Sequence, residues 1–173
     1  MMKWKALIGC IGFVGSVVLF WSPSSRAQGY SWSAVEQLIN RRFPKTPTIT
    51  KNTLVEWMND SQPLVLIDVR SVEEFQVGHI WQAQNWMTAE EIISNTDPDT
   101  RMVLYCSVGY RSAGMVQQLK KKGYTNLFNL EGSIFEWANQ GHSIYRGTRA
   151  VKTVHPYNTI WGNLLHKDYH AYQ

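Results

Sequence analysis

Charge is scarce in this sequence. Asp, Glu, Lys and Arg make up 17% of the 173 residues, against about a quarter in average soluble chains. With hydrophobic residues at 44%, that balance excludes the charge-rich disordered class and fits a globular chain. Acids are missing altogether from the first 27 residues, where Lys3, Lys5 and Arg26 lie. Setting those three aside reduces Lys+Arg from 17 to 14 against 13 Asp+Glu, so the net charge of +4 belongs mainly to the N-terminal segment. No basic stripe runs along the remainder, and no nucleic-acid partner is expected.

Cysteine is nearly absent. Cys10 and Cys106 are the two, which excludes a framework of several disulfides. There is no internal repeat and no low-complexity tract. His142, His155 and the pair His166 and His170 show no metal-ligand spacing with cysteine partners, so no metal is expected, and nothing implies an organic cofactor. The length suits one domain with little room for a second.

What is present begins with the leader. Met1 to Lys5 carries two lysines, Ala6 to Trp21 is an uncharged apolar run of 16 residues, and Ser25 and Ala27 stand at −3 and −1 of a cut before Gln28. This is the three-part layout of a signal peptide over residues 1–27. The run is shorter than the ~20 residues of a comfortable membrane span. An uncleaved anchor is the alternative, and a lipobox-like Leu7-Ile8-Gly9-Cys10 is a weaker one. The chain is therefore expected to be exported, periplasmic or secreted, touching a membrane only if the leader is retained. With the leader removed, Cys106 is the sole thiol, either an inert buried side chain or a reactive one.

Residues 28–47 read as a linker and a helix over 33–42, with Ser33 as its cap. Thr48 to Thr50 suggests a short strand, and Thr53 to Asn59 a second helix capped by Thr53. Leu64 to Val69 and Arg101 to Cys106 are continuous apolar runs of the kind found in strands buried on both faces. Between them lie a helical turn from Ser71 to Phe75, a short strand over Ala83 to Trp86, and a helix from Thr88 with a Thr88–Glu91 capping box. A helix over Ser112 to Lys122 stopped by Gly123, a strand over Tyr124 to Leu130 and a helix over Ile134 to Gln140 complete the alternation. The order argues for an α/β domain over 48–146 with a mostly parallel sheet flanked by helices. Residues 147–173 form a tail whose segment His155 to Leu165 is apolar enough to pack on the domain.

Cys106 closes a strand, and a helix begins about five residues later. A loop feeding a helix N-terminus directs backbone N–H groups at one spot beside the positive end of the dipole. A thiolate there is stabilised. Gly109 permits a tight turn, and Arg111 adds a positive charge that can fork two hydrogen bonds to an oxyanion. The constellation suits a thiolate nucleophile meeting an anionic substrate. The plain alternative is a buried cysteine ending a core strand.

Three motifs then carry a resemblance. They are Asp68-Val69-Arg70 with Glu74-Phe75 and Gly78-His79-Ile80; Cys106-Ser107-Val108-Gly109-Tyr110-Arg111-Ser112; and Asn129-Leu130-Glu131-Gly132-Ser133-Ile134-Phe135-Glu136-Trp137. In this order, over about 100 residues, the chain resembles the rhodanese-like sulfurtransferases. The resemblance implies a three-layer α/β fold and a ping-pong cycle. In that cycle Cys106 takes the outer sulfur of thiosulfate or a related small anionic donor. It then passes the sulfur from a persulfide to cyanide or a thiol, including a protein thiol. It also implies that the backbone of Ser107, Val108, Gly109, Tyr110 and Arg111 holds the persulfide and that Arg111 binds the donor. Ser133 stands where a second glycine is usual. The loop carries one charge, Arg111, between apolar Val108 and Tyr110, which leaves the donor open.

Other residues read more plainly. Asp68 is expected to orient the site through loop amides or Arg70, and His79 to hold a turn and not act as a base. Trp57, Trp86 and Trp137 read as core anchors, and Tyr110 as a pocket wall. Two rival functions remain. A phosphatase or arsenate reductase on the same fold would use a Cys-x5-Arg loop, whereas Cys106 to Arg111 is Cys-x4-Arg. A non-catalytic binding module would keep the fold without the chemistry.

Overall fold

The computed structural model describes residues 30–172. The predicted signal peptide, residues 1–27, lies outside them. Among the described residues no helix is long and apolar enough to cross a membrane. Helix α1 spans Trp32–Arg42 and α2 spans Lys51–Asn59, with strand β1 (Thr48–Ile49) between them. Both helices begin earlier than their sequences suggest. Ser31, not Ser33, caps α1 by accepting from the Ala34 amide, and Thr50, not Thr53, caps α2 by accepting from the Thr53 amide. In each case two hydroxyl residues stand close together, and either can cap a helix.

Strands β2 (Val65–Asp68), β3 (Gln84–Asn85), β4 (Met102–Tyr105) and β5 (Leu127–Leu130) join β1 in one parallel sheet of order β1-β5-β4-β2-β3. The apolar runs at 64–69 and 101–106 are the paired central strands, in register Asp68 to Tyr105. Every residue of β4 is fully buried, as expected for a strand covered on both faces. Its side chains alternate. Val103 and Tyr105 join the cluster that includes Leu54, Ile134 and Phe135. Met102, Leu104 and Cys106 join the cluster of Ile92, Met115 and Leu119. This puts helical layers on both faces of a central parallel sheet, the three-layer α/β architecture expected.

Helices α3 (Val72–Val77) and α4 (Ala89–Asn95) each carry a capping box, Ser71 with Glu74 and Thr88 with Glu91. Helix α5 spans Tyr110–Lys121, starting two residues before the predicted Ser112, and α6 spans Ser133–Asn139. Strand β5 begins at Leu127, later than the predicted Tyr124.

Beyond the sheet lies a hairpin that periodicity does not reveal, β6 (Ile144–Arg146) with β7 (Arg149–Val151). It is followed by a single turn, α7 (Thr159–Gly162), and a 3-10 turn at Lys167–Tyr169. Val154, Leu164 and Leu165 from this segment are buried in the core. Asn139 clamps it, donating to the Leu164 carbonyl at 2.7 Å and accepting from the His166 amide at 2.8 Å. Each fully buried aliphatic side chain contributes about 1.5–3 kcal/mol, so the segment is anchored at several points.

Candidate active site

Cys106 leaves the C-terminal end of β4, buried in the sheet-to-helix corner. The loop that follows is fastened from two sides. The amides of Ile134 and Phe135, in the first turn of α6, donate to the carbonyls of Cys106 and Ser107 at 3.2 and 3.1 Å. Asn129 of β5 donates to the Gly109 carbonyl at 3.2 Å and accepts from the Ser112 hydroxyl at 2.6 Å. Gly109 is in the left-handed region, φ 101, and begins α5 without a side-chain cap. That conformation is ordinary for glycine and costly for other residues. It turns the Gly109 amide back onto the Cys106 sulfur, at 3.2 Å from Sγ.

Ser133 has a part that its place in the sequence does not announce. It lies at φ 49, consistent with the glycine usual there. Its buried hydroxyl accepts from the Cys106 amide and donates to the Leu130 carbonyl, both at 3.2 Å. The serine therefore holds the backbone at Cys106.

Burial pushes the Cys106 thiol up. The Arg111 guanidinium outweighs it, together with hydrogen bonds from the Ser112 amide and hydroxyl and the Gly109 amide, and the net direction is down. Thiolate is therefore favoured above its ordinary fraction at neutral pH.

The charge of Arg111 is shared. Its Nη1 and Nη2 donate to the two carboxylate oxygens of Glu74, each at 2.8 Å, and Nη2 also reaches the Ser107 hydroxyl at 3.0 Å. The Ser107 hydroxyl donates to Glu74 Oε1 at 3.0 Å. Glu74 still completes the α3 capping box, accepting from the Ser71 amide. Burial alone would raise the Glu74 carboxyl, but the hydrogen bonds and charge of Arg111, with help from Arg70, lower it to about 2. The same pairing raises Arg111 against the cost of its own burial. Arg111 therefore belongs to a neutral ion pair, which differs from the free anion-binding charge expected from sequence.

Asp68 and Arg70 form a second pair, fully buried. Arg70 Nη2 donates to Asp68 Oδ2 at 2.7 Å and to the Gly78 carbonyl at 2.7 Å, and its Nε and amide also reach Asp68. Among the two partners expected for Asp68, Arg70 is the one it has. Asp68 faces Tyr105 in the sheet register, one residue before Cys106, so the pair supports the strand that leads into Cys106. His79 holds a turn: its Nδ1 lies 3.0 Å from the Phe75 carbonyl and its ring stacks on Phe75 at 3.9 Å. Trp137 is buried, while Trp57 and Trp86 are half-buried against the two core clusters.

A cleft of about 90 Å³ opens beside the sulfur, lined by Cys106, Ser107, Val108, Tyr110, Arg111, Tyr157 and Trp161. The loop residues predicted for the site are thus together. Tyr157 and Trp161 come from the tail. No motif pointed to them, though the apolar character of residues 155–165 was a signal that this segment packs. Among the described residues no cluster of His, Cys, Asp and Glu could hold a metal ion.

Comparison with known proteins places this geometry. The family model for the rhodanese-like domain matches residues 50–140. A protein of Allochromatium vinosum named a sulfurtransferase is 33% identical over 95 residues, covering 54% of this chain and 89% of that one. The probable adenylyltransferase/sulfurtransferase MoeZ of Mycobacterium tuberculosis is 36% identical over 100 residues, 56% of this chain but 26% of MoeZ. The chain therefore spans about a quarter of that larger relative. Among solved structures, a thiosulfate sulfurtransferase of Pseudomonas aeruginosa superposes with a TM-score of 0.57 at 22% identity, covering 68% of this chain and 23% of that one, a likeness of fold. With the model spanning more than half of its residues and the cysteine loop set at the end of a central parallel strand, this chain belongs to the rhodanese-like domain family.

Proposed function

We propose that the protein is a sulfurtransferase that moves a sulfane sulfur from a donor to a thiophilic acceptor through a persulfide on Cys106. The observation that carries this reading is the Cys106 sulfur at the N-terminus of α5. There the Gly109 amide lies 3.2 Å away and Arg111 acts on the sulfur, beside an open cleft.

In the first half-reaction the Cys106 thiolate attacks the outer sulfur of the donor. A new S–S bond forms, the donor's S–S bond breaks, and the leaving group departs with the electron pair, as sulfite when the donor is thiosulfate. In the second half-reaction cyanide or a thiol attacks the outer sulfur of the persulfide and the Cys106 thiolate is restored. The loop of Ser107, Val108, Gly109, Tyr110 and Arg111 cradles the persulfide, while Asp68 and Arg70 support the strand beneath it. If the leader directs export, the acceptor must be a thiophile present outside the cytosol, where reduced thiols are scarce.

The Cys-x4-Arg spacing speaks against the phosphatase alternative, because Gly109 already closes the turn onto sulfur. Steady-state kinetics with cyanide as acceptor test the proposal. Parallel double-reciprocal lines are expected, the signature of a ping-pong cycle, with thiocyanate formation lost in Cys106→Ser. Turnover retained in Cys106→Ser would refute it.

A further inference from the structure

The tail crosses the mouth of the Cys106 cleft with two aromatic rings, and nothing in the cycle above uses them. Tyr157 lies over the Arg111 guanidinium, 4.8 Å from ring centroid to Cζ. Trp161 lines the cleft and is backed by Tyr30, which stacks on it at 4.6 Å with the planes 6° apart. These rings are held in place. Asn158 accepts from the amides of Ile160 and Trp161 at 3.0 and 2.9 Å. Tyr157 sits at φ 65, a left-handed conformation uncommon for a tyrosine, and donates its amide to His155 Nδ1 at 3.0 Å. Backbone strain of this kind persists only where the surroundings enforce it, and it gathers at functional sites.

Charge at the cleft points the same way. Among the described residues, Arg111 is the only Lys, Arg, Asp or Glu side chain lining it. Three of its N–H donors are taken by Glu74 and Ser107, and one face is covered by Tyr157. A dianion such as thiosulfate meets a neutral ion pair and apolar rings. A monoanion can use the remaining donors of the five on a guanidinium, while a flat apolar group finds Trp161, Tyr110 and Val108.

We infer that Tyr157 and Trp161 are specificity-determining residues of the Cys106 site, and that its donor is an organic sulfane-sulfur compound whose leaving group carries a planar apolar substituent and at most one negative charge. The inference rests on the sulfurtransferase reading. With benzenethiosulfonate as the probe, the Cys106 thiolate attacks the terminal sulfur. The Cys106 S–S bond forms, the sulfur–sulfonyl bond breaks, and benzenesulfinate leaves with the electron pair; no proton or external oxidant is needed.

The test compares second-order rate constants for persulfide formation on the full-length protein with benzenethiosulfonate, methanethiosulfonate and thiosulfate. The wild-type protein should favour benzenethiosulfonate over methanethiosulfonate, and Trp161→Ala should reduce that ratio roughly tenfold, the scale of one aromatic contact. Intrinsic donor reactivity cancels in the comparison of ratios. Trp161→Leu, which keeps an apolar side chain, should show the same direction and guards against a misfolded tail. Glu74→Gln leaves Arg111 without its carboxylate and should raise the thiosulfate rate roughly threefold or more relative to the two monoanions. An unchanged ratio in both Trp161 variants, or thiosulfate as the best wild-type donor, would overturn the inference while leaving the sulfurtransferase reading intact. No persulfide from any donor, with Cys106 still open to alkylation, would overturn both.

Discussion

Cys106 sits where two tendencies oppose each other, burial favouring the thiol and Arg111 with the Ser112 and Gly109 donors favouring the thiolate. The rate of Cys106 alkylation against pH should therefore show its midpoint below that of an ordinary thiol. In the double variant Glu74→Gln, Arg111→Gln the burial remains and the charge is gone, so the midpoint should move up. Arg111→Gln alone is a poorer probe, because it leaves Glu74 buried without its partner, a costly state. Glu74 makes a separate prediction about acid. Its folded pKa of about 2 lies below the unfolded value of about 4.3. The stabilisation is fully present above the unfolded value and is lost as pH falls toward the folded one. Chemical denaturation should show a fall on the order of 2 kcal/mol between about pH 4.5 and pH 2 that is absent in Glu74→Gln. That variant keeps a side-chain oxygen for the α3 capping box.

Elements meet the tail at one point of very close approach. A Cβ on Gly78 would lie 2.0 Å from the Thr153 carbonyl oxygen and 2.7 Å from Ile144 Cγ2. The chain after β7 passes directly over this glycine, tied there by the Thr153 hydroxyl, which donates to the Val77 carbonyl, as does Arg146 at the end of β6. Gly78→Ala should cost about 1–3 kcal/mol as the backbone is forced apart. The thermal midpoint should fall and proteolysis beyond Val151 should become faster. A variant as stable and as resistant as wild type would show that the tail is not fastened here. The central strands are legible because their apolar runs are continuous, and the α4 capping box because it is local. The α5 start at Tyr110 was hidden because Gly109 begins the helix by its left-handed turn, without a hydroxyl. The partnership of Glu74 with Arg111, 37 residues apart, carries no local pattern, and neither does the return of Tyr157 and Trp161 to the site.

In the molecule as a whole, the motif-bearing residues supply Cys106, the loop around it and the ion pairs beside it, while the segments outside the motifs shape the entrance. The sheet presents Cys106 at the end of its most buried strand. Helix α6 and Asn129 of β5 hold the loop from two sides, and the tail walls the cleft, with Tyr30 stacked behind Trp161. On the inference drawn above, donor choice lies with parts of the chain that the family's motifs do not contain, and the loop sequence alone does not reveal it. The central claim is that Cys106 carries sulfur, and intact-mass spectrometry of the protein before and after exposure to a sulfane-sulfur donor tests it most directly. A gain of one sulfur atom in the wild-type protein, absent in Cys106→Ser and reversed by cyanide, is the predicted result. No gain from thiosulfate or from either organic thiosulfonate, with Cys106 reduced and open to alkylation, would contradict the account.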